Sequence, residues 1–315
     1  MQIREDQGKG GGSPPRSMLI AVFISSTEPR LRAAWRLILQ VVLLILTFLS
    51  VSALAHAALQ RVFSIQSGPF GGAGLLVDLV VELIAVTLAV YGARRFLDHR
   101  TFVSLGLVLR RRSFLDFLAG LGITFLMMGT IFLIEKSQGW LELTGLAWGM
   151  QSPGDVAVGV AVFLVVCLLV GWNEELISRG YHLQTIASGT SLVWGWFLSS
   201  AVFGALHLGN PYASWMAAAG IVLAGMFLGY AYVRTGQLWL SMGLHVGWNF
   251  FEGVVFGFPV SGFTFYNLLR ISVSGPVAWT GGAFGPEAGL VLVPALAIGV
   301  LLIYFYTRSM GQRRR

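Results

Sequence analysis

Apolar runs of roughly 18–25 residues recur along this sequence, each long enough to cross ~30 Å of hydrocarbon as a helix. Few folds are open to such a chain, because every backbone N–H and C=O in lipid must be bonded internally. The expected spans are about Trp35 to Leu59, Gly74 to Tyr91, Phe114 to Ile134 and one from near Val156. Then come Leu192 to Leu208, Tyr212 to Val233, Leu238 to Phe256, and a last span opened by Pro286 and Glu287 and running to about Tyr306. Proline in a first turn and an acid beside the positive dipole end suit that start. The expected fold class is all-α, a polytopic membrane protein of about eight transmembrane helices. With 56% hydrophobic and only 11% charged residues, composition excludes a soluble globular chain.

The net charge of +7 could indicate nucleic acid, but the arginines sit at segment ends and tails, where membrane topology accounts for them. They cluster in the N-terminal tail, at Arg94, Arg95, Arg100 and Arg110 to Arg112, at Arg234, and at Arg308 and Arg313 to Arg315. Alternate loops hold only Arg61, Lys136 and Arg270. The positive-inside rule then puts both termini in the cytoplasm. The expected location is a bacterial cytoplasmic (inner) membrane. Residues 1–33 read as a flexible tail, 34–307 as one membrane-embedded domain with its motif core at 156–256, and 308–315 as a basic tail that anchors near anionic lipid. Met18 to Ile24 is too short to span and reads as tail or interfacial segment. Leu105 to Val108 reads as a short surface-lying segment, and Lys136 to Asp155 and Phe258 to Gly285 read as loops. The single cysteine, Cys167, excludes an internal disulfide and a thiol-rich metal site, and fits a small core residue.

Against this background Glu174-Glu175-Leu176-Ile177-Ser178-Arg179 stands out, because burying ions in hydrocarbon costs at least ~2.5 kcal/mol each. Such groups need partners. Glu175 and Arg179, four apart, can pair along one helix face, which leaves Glu174, about 100° around, free to face something else. Candidate partners are His207, which shares a face with Phe203, and His245, which shares one with Asn249. These groups come level only if the fourth helix continues past Arg179 to the Ser188-Gly189 break. At 1.5 Å per residue, Glu174 then lies ~20 Å from that turn and His207 ~25 Å, while His245 and Asn249 lie ~12–18 Å from the turn near Gly236. The site would sit within the membrane and is expected to be reached from the cytoplasm. A carboxylate next to water can act as general base, and imidazole and amide donors can hold a developing oxyanion.

Glu174-Glu175-x-x-x-Arg179, Phe203-x-x-x-His207 and His245-x-x-x-Asn249 together resemble the three motifs of the CAAX prenyl protease and bacteriocin-processing (CPBP) family, which includes the type II CAAX prenyl endopeptidase. The resemblance covers roughly Val156 to Phe256, and Phe284-Gly285-Pro286-Glu287 is similar to many bacterial members. It implies an intramembrane endopeptidase acting near the C-terminus of a membrane-associated or lipidated substrate. Glu174 would activate water, His207 would help position it, His245 and Asn249 would form the oxyanion site, and Glu175, Arg179 and Phe203 would support them.

Three alternatives stand beside that reading. The polar set could be a satisfied network that fixes helix packing in a catalytically silent scaffold or immunity-type protein. Glu174, His207 and His245 could instead ligate zinc with an open water position, although no cofactor is expected on the preferred reading. A transporter would show internal repeats with broken helices, which the sequence lacks. Elsewhere, His56 and Asp78 could pair, Glu82 is an intramembrane acid without an evident partner, and His182 is expected to be an exposed imidazole. Gly225-x-x-x-Gly229 reads as an internal packing seam. The expected partners are lipid and a peptide or lipidated protein, not nucleic acid.

Overall fold

The computed structural model describes residues 22–25, 28–63 and 72–312. Most of the N-terminal tail and Arg313 to Arg315 lie outside the described residues. The main helices begin with α1 (Ala33–Phe63), α2 (Gly72–Gly92) and α3 (Arg111–Ser137). They continue with α4 (Pro153–Glu175), α5 (Leu192–Leu206), α6 (Trp215–Thr235), α7 (Leu238–Asn249) and α8 (Leu292–Gln312). Among the described residues, seven helices are long and apolar enough to cross a membrane. The expectation of about eight differs by α7, which extends by one π-helical stretch (Phe250–Val255) and lies within the bundle, buried from Leu240 to Asn249. A helix shielded on every side is held by protein, not lipid.

What packs α7 so tightly is glycine. A Cβ on Gly243 would stand 2.2 Å from the Phe117 carbonyl oxygen, and one on Gly120 would stand 2.4 Å from the Leu244 nitrogen. The α3 and α7 backbones therefore touch, the contact that small residues permit where hydrophobicity cannot drive helices together. Around them Met127, Met128, Ile131, Leu240, Leu244 and Trp248 form the main core. The Gly225/Gly229 seam is internal as expected: a Cβ would meet Ser200 and Arg179 at the first and Trp196 of α5 at the second.

α4 continues beyond Glu175 through a π-helical stretch (Leu176–Leu183) and a last helical piece (Gln184–Gly189), giving one apolar span of 37 residues. At 1.5 Å per residue this is about 55 Å, longer than the hydrocarbon is thick, as the levelling argument requires. Ser152 caps its start by accepting from Asp155 N–H, with Pro153 in the first turn.

Four local expectations are corrected. Pro286 and Glu287 do not open the last helix; they form a separate 3-10 turn (Pro286–Ala288), and α8 starts at Leu292 because Glu287 is drawn inward by side-chain partners described below. The 105–108 segment is not surface-lying: Leu105 and Leu107 are buried, and Leu238 N–H donates to the Gly106 carbonyl at 2.9 Å. The two long loops each contain a strand, β1 (Leu141–Leu146) and β2 (Leu269–Val273), paired antiparallel with a bulge near Gly145. Finally, His182 is part-buried and bonded to Gln40 Oε1 at 3.1 Å rather than exposed, because the extended α4 packs against α1 there.

Candidate active site

α4 sets Glu174 and Glu175 on different faces, and only Glu175 turns into protein. Its Oε1 accepts from Arg179 Nη1 at 2.5 Å, one turn along, and meets His245 Nδ1 at 2.8 Å. A carboxylate oxygen only accepts, so His245 carries a proton on Nδ1 and turns Nε2 elsewhere. Arg179 also donates from Nη2 to the Gly225 carbonyl at 2.9 Å and lies 4.5 Å from the Phe203 ring centroid, a cation–π contact. Phe203 in turn stands 4.7 Å from the His207 ring and edge-on to His245 at 6.1 Å. His207 ends α5 and donates from Nδ1 to the Phe203 carbonyl at 2.8 Å. Its Nε2 is likewise left with a lone pair unless the ring takes a second proton.

Glu174 faces both of these nitrogens. Its Oε2 lies 3.7 Å from His245 Nε2 and 4.0 Å from His207 Nε2. Those distances are too long for direct hydrogen bonds and leave a gap a water can bridge. Glu174 Oε2 is buried and has no hydrogen-bond partner. Asn249, one turn beyond His245, lines the same space, and its amide makes no hydrogen bond among the described residues. Two imidazoles and a carboxylate are a zinc-type donor set, yet no group of three or more His, Cys, Asp or Glu among the described residues is arranged to hold a metal ion.

The space is a cavity of about 570 Å³, within the range of small-molecule and cofactor sites. Its wall is mostly apolar, with Leu75, Leu79, Phe163, Val166, Leu206 and Phe265 among the lining residues. The structure thus brings together Glu174, His207, His245 and Asn249 around one cavity, with Glu175, Arg179 and Phe203 behind them.

Other singled-out residues fall differently. Glu82 lines the same cavity and faces the Asn173 amide, so the acid without an evident partner stands within the electrostatic reach of Glu174. His56 bonds the Ser52 carbonyl at 2.9 Å and does not pair with Asp78. Cys167 is a buried core residue.

Sequence reasoning missed the cavity's roof. Glu287 Oε1 accepts from Trp248 Nε1 at 3.0 Å, while Oε2 accepts from both the backbone N–H and the hydroxyl of Ser261 at 2.6 Å. Asn210 Nδ2 donates to the Ser261 carbonyl at 3.0 Å. These bonds pin the segment 260–265 over the site. Burial pushes the Glu287 carboxyl above the usual carboxylate range, against the opposing pull of its Ser261 bonds and of His207. The sequence signals were the resemblance of Phe284-Gly285-Pro286-Glu287 to bacterial family members and an acid next to proline in a glycine-rich loop, which also reads as a helix start.

Residues 156–251 match the family described as type II CAAX prenyl endopeptidase Rce1-like. The match contains every motif residue placed above and stops before the roof. No curated protein matches the chain, and no solved structure does.

Proposed function

We propose that this chain is an intramembrane endopeptidase that cleaves by water activated at Glu174, a reading supported by the match of residues 156–251 to the Rce1-like type II CAAX prenyl endopeptidase family. The observation that carries the reading is the unpartnered Glu174 Oε2, 3.7 and 4.0 Å from two imidazole nitrogens at the wall of a cavity. Among the described residues Glu135 and Glu252 also carry buried oxygens without partners, but they do not line this cavity, whereas Glu174 Oε2 faces two imidazole nitrogens across it.

The tautomers give the water its orientation. One hydrogen goes to Glu174 Oε2 and the other to His207 Nε2, which leaves an oxygen lone pair free to attack a peptide carbonyl. Glu174 takes the proton as the C–O bond forms. The Asn249 amide donates to the developing oxyanion, and His245 adds a second donor when its ring is doubly protonated, held by Glu175 through Nδ1. Collapse breaks the C–N bond, Glu174 returns its proton to the leaving amine, and a carboxylate and a free amine result. Donors fixed before the charge develops are the most effective kind of stabilisation. Glu175, Arg179 and Phe203 are positioning residues, since they touch only the groups that touch water.

The scissile bond lies near the C-terminus of a membrane-associated or lipidated protein, and the apolar cavity wall accommodates the lipid or the flanking apolar side chains. The test is cleavage of lipidated and unmodified peptides by the purified chain in liposomes. Sustained turnover in excess chelator, with metal content verified as nil, is expected. Absence of cleavage with either peptide contradicts the enzyme, whereas turnover that disappears with chelator and returns with zinc would favour a metal-bound water.

A further inference from the structure

We infer that the substrate reaches this site from the arginine-poor face of the molecule, the side away from the cytoplasm, so that the peptide cleaved belongs to an anchored protein exposed on that side. This rests on the protease reading for what is cleaved, but not for where the cavity opens.

The lining residues show the direction. At one end of the cavity stand Asn210, Val260, Phe263 and Glu287, from the connections that follow α5 and α7, and Leu75, about 5 Å from the start of α2. Leu75, Leu206 and Phe263 are exposed, so the wall reaches the surface there. At the other end the last lining residues are Ser178, about 16 Å short of the end of the α4 span at Gly189, and Leu228, about 10 Å short of the end of α6. None of the opposite connections, 93–110, 190–191 or 236–237, contributes a lining residue.

A packed layer explains why. Leu105, Leu107, Leu176, Tyr181, Leu238 and Met242 form one buried cluster beneath the site. Gln184 Nε2 bonds the Leu105 carbonyl and Arg94 bonds Gln184 Oε1, so polar groups stitch the layer shut. The segment 102–107, which the sequence places at the surface, is part of this floor.

Charge then assigns the two faces. Arg30, Arg32, Arg36, Arg94, Arg95, Arg100, the Arg110 to Arg112 cluster, Arg234 and Arg308 lie at the floor end, whereas Lys136 and Arg270 lie at the open end. By the positive-inside rule the floor faces the cytoplasm and the mouth faces away. This inference runs against the expectation of a cytoplasmic approach. The mouth sets Leu75, Leu206 and Phe263 beside the polar Asn210, Ser261 and Thr264 and carries no lysine or arginine, so the occupant is a hydrophobic or acylated segment with its peptide groups, arriving along the far leaflet.

Single cysteines in a Cys167→Ala background read this directly. Val170→Cys reports the cavity, with Thr264→Cys on its roof as a second reporter. Leu109→Cys marks the arginine-rich face and Glu142→Cys the other. A small membrane-impermeant thiol reagent is applied to sealed spheroplasts of a bacterial expression host and to inverted membrane vesicles. The expected result is complete modification of positions 142, 264 and 170 in spheroplasts and loss of it in inverted vesicles, with position 109 reversed. Modification of position 170 together with 109 in inverted vesicles, from neither side, or an exchanged pattern for 109 and 142, overturns the inference. No turnover is needed, so a chain that fails the cleavage assay can still pass this one, and the converse holds.

Discussion

A buried carboxylate and a half-buried one show how differently this chain uses charge. Asp98, at the arginine-rich end, is bonded by Arg36 Nη1 and by Arg94 Nη1 at 3.0 Å, with Arg30 Nη1 at 3.6 Å. The arginines are occupied too: Arg36 also bonds Ser188, and Arg94 also bonds Ser104 and Gln184. This knot ties the ends of α1, α2 and α4 and leaves nothing for a ligand to do. Glu174 is the reverse, an oxygen without a partner, facing two ring nitrogens with lone pairs and an idle amide across a cavity. Burial alone therefore does not mark a functional acid in this membrane protein. Nor does an unpaired oxygen alone, since Glu135 and Glu252 carry them too; what sets Glu174 apart is an unpaired oxygen facing two imidazoles across a cavity.

Substitutions should separate the two centres. Glu174→Gln keeps shape and removes the base, so turnover should fall by roughly 10²–10⁴-fold while the thermal unfolding midpoint in detergent stays in place; a lower midpoint would move Glu174 to the structural side. Asp98→Ala should do the opposite. It strands buried guanidiniums and should cost about 3–5 kcal/mol of stability, read by thermal unfolding, with the folded fraction still turning over normally. For Asn249→Ala, kcat should drop by about 10²–10³-fold with KM little changed, the signature of a donor used in the transition state. An equal rise in KM would make Asn249 a ground-state contact. The smallest effect belongs to Gln40→Leu, which removes the His182 partner in the contact between α1 and α4. That should cost about 1 kcal/mol in unfolding experiments and leave kinetics untouched.

Much of the catalytic set was legible because its logic is local. The i,i+4 spacings that pair Glu175 with Arg179 and align Phe203 with His207 follow from helix geometry, and counting rises along α4 and α5 brought Glu174 and His207 level. What stayed hidden was set by partners distant in the chain. β1 and β2 are separated by more than a hundred residues, and although Leu269-Arg270-Ile271-Ser272-Val273 alternates as a strand does, nothing in the sequence names its partner. Leu105 is buried only because Leu238 and Tyr181 come over it. Glu287 looked like a helix start until Trp248 and Ser261 were seen to use both its oxygens. The face on which the cavity opens was similarly unreadable, since it depends on which connections wrap the site.

The water itself is the most direct test of the account. A high-resolution density map of the purified chain should show an ordered water about 2.6–3.2 Å from both Glu174 Oε2 and His207 Nε2. A metal ion about 2.0–2.2 Å from the carboxylate and both rings, or a dry gap closed by a direct bond from Glu174 to an imidazole, would contradict it.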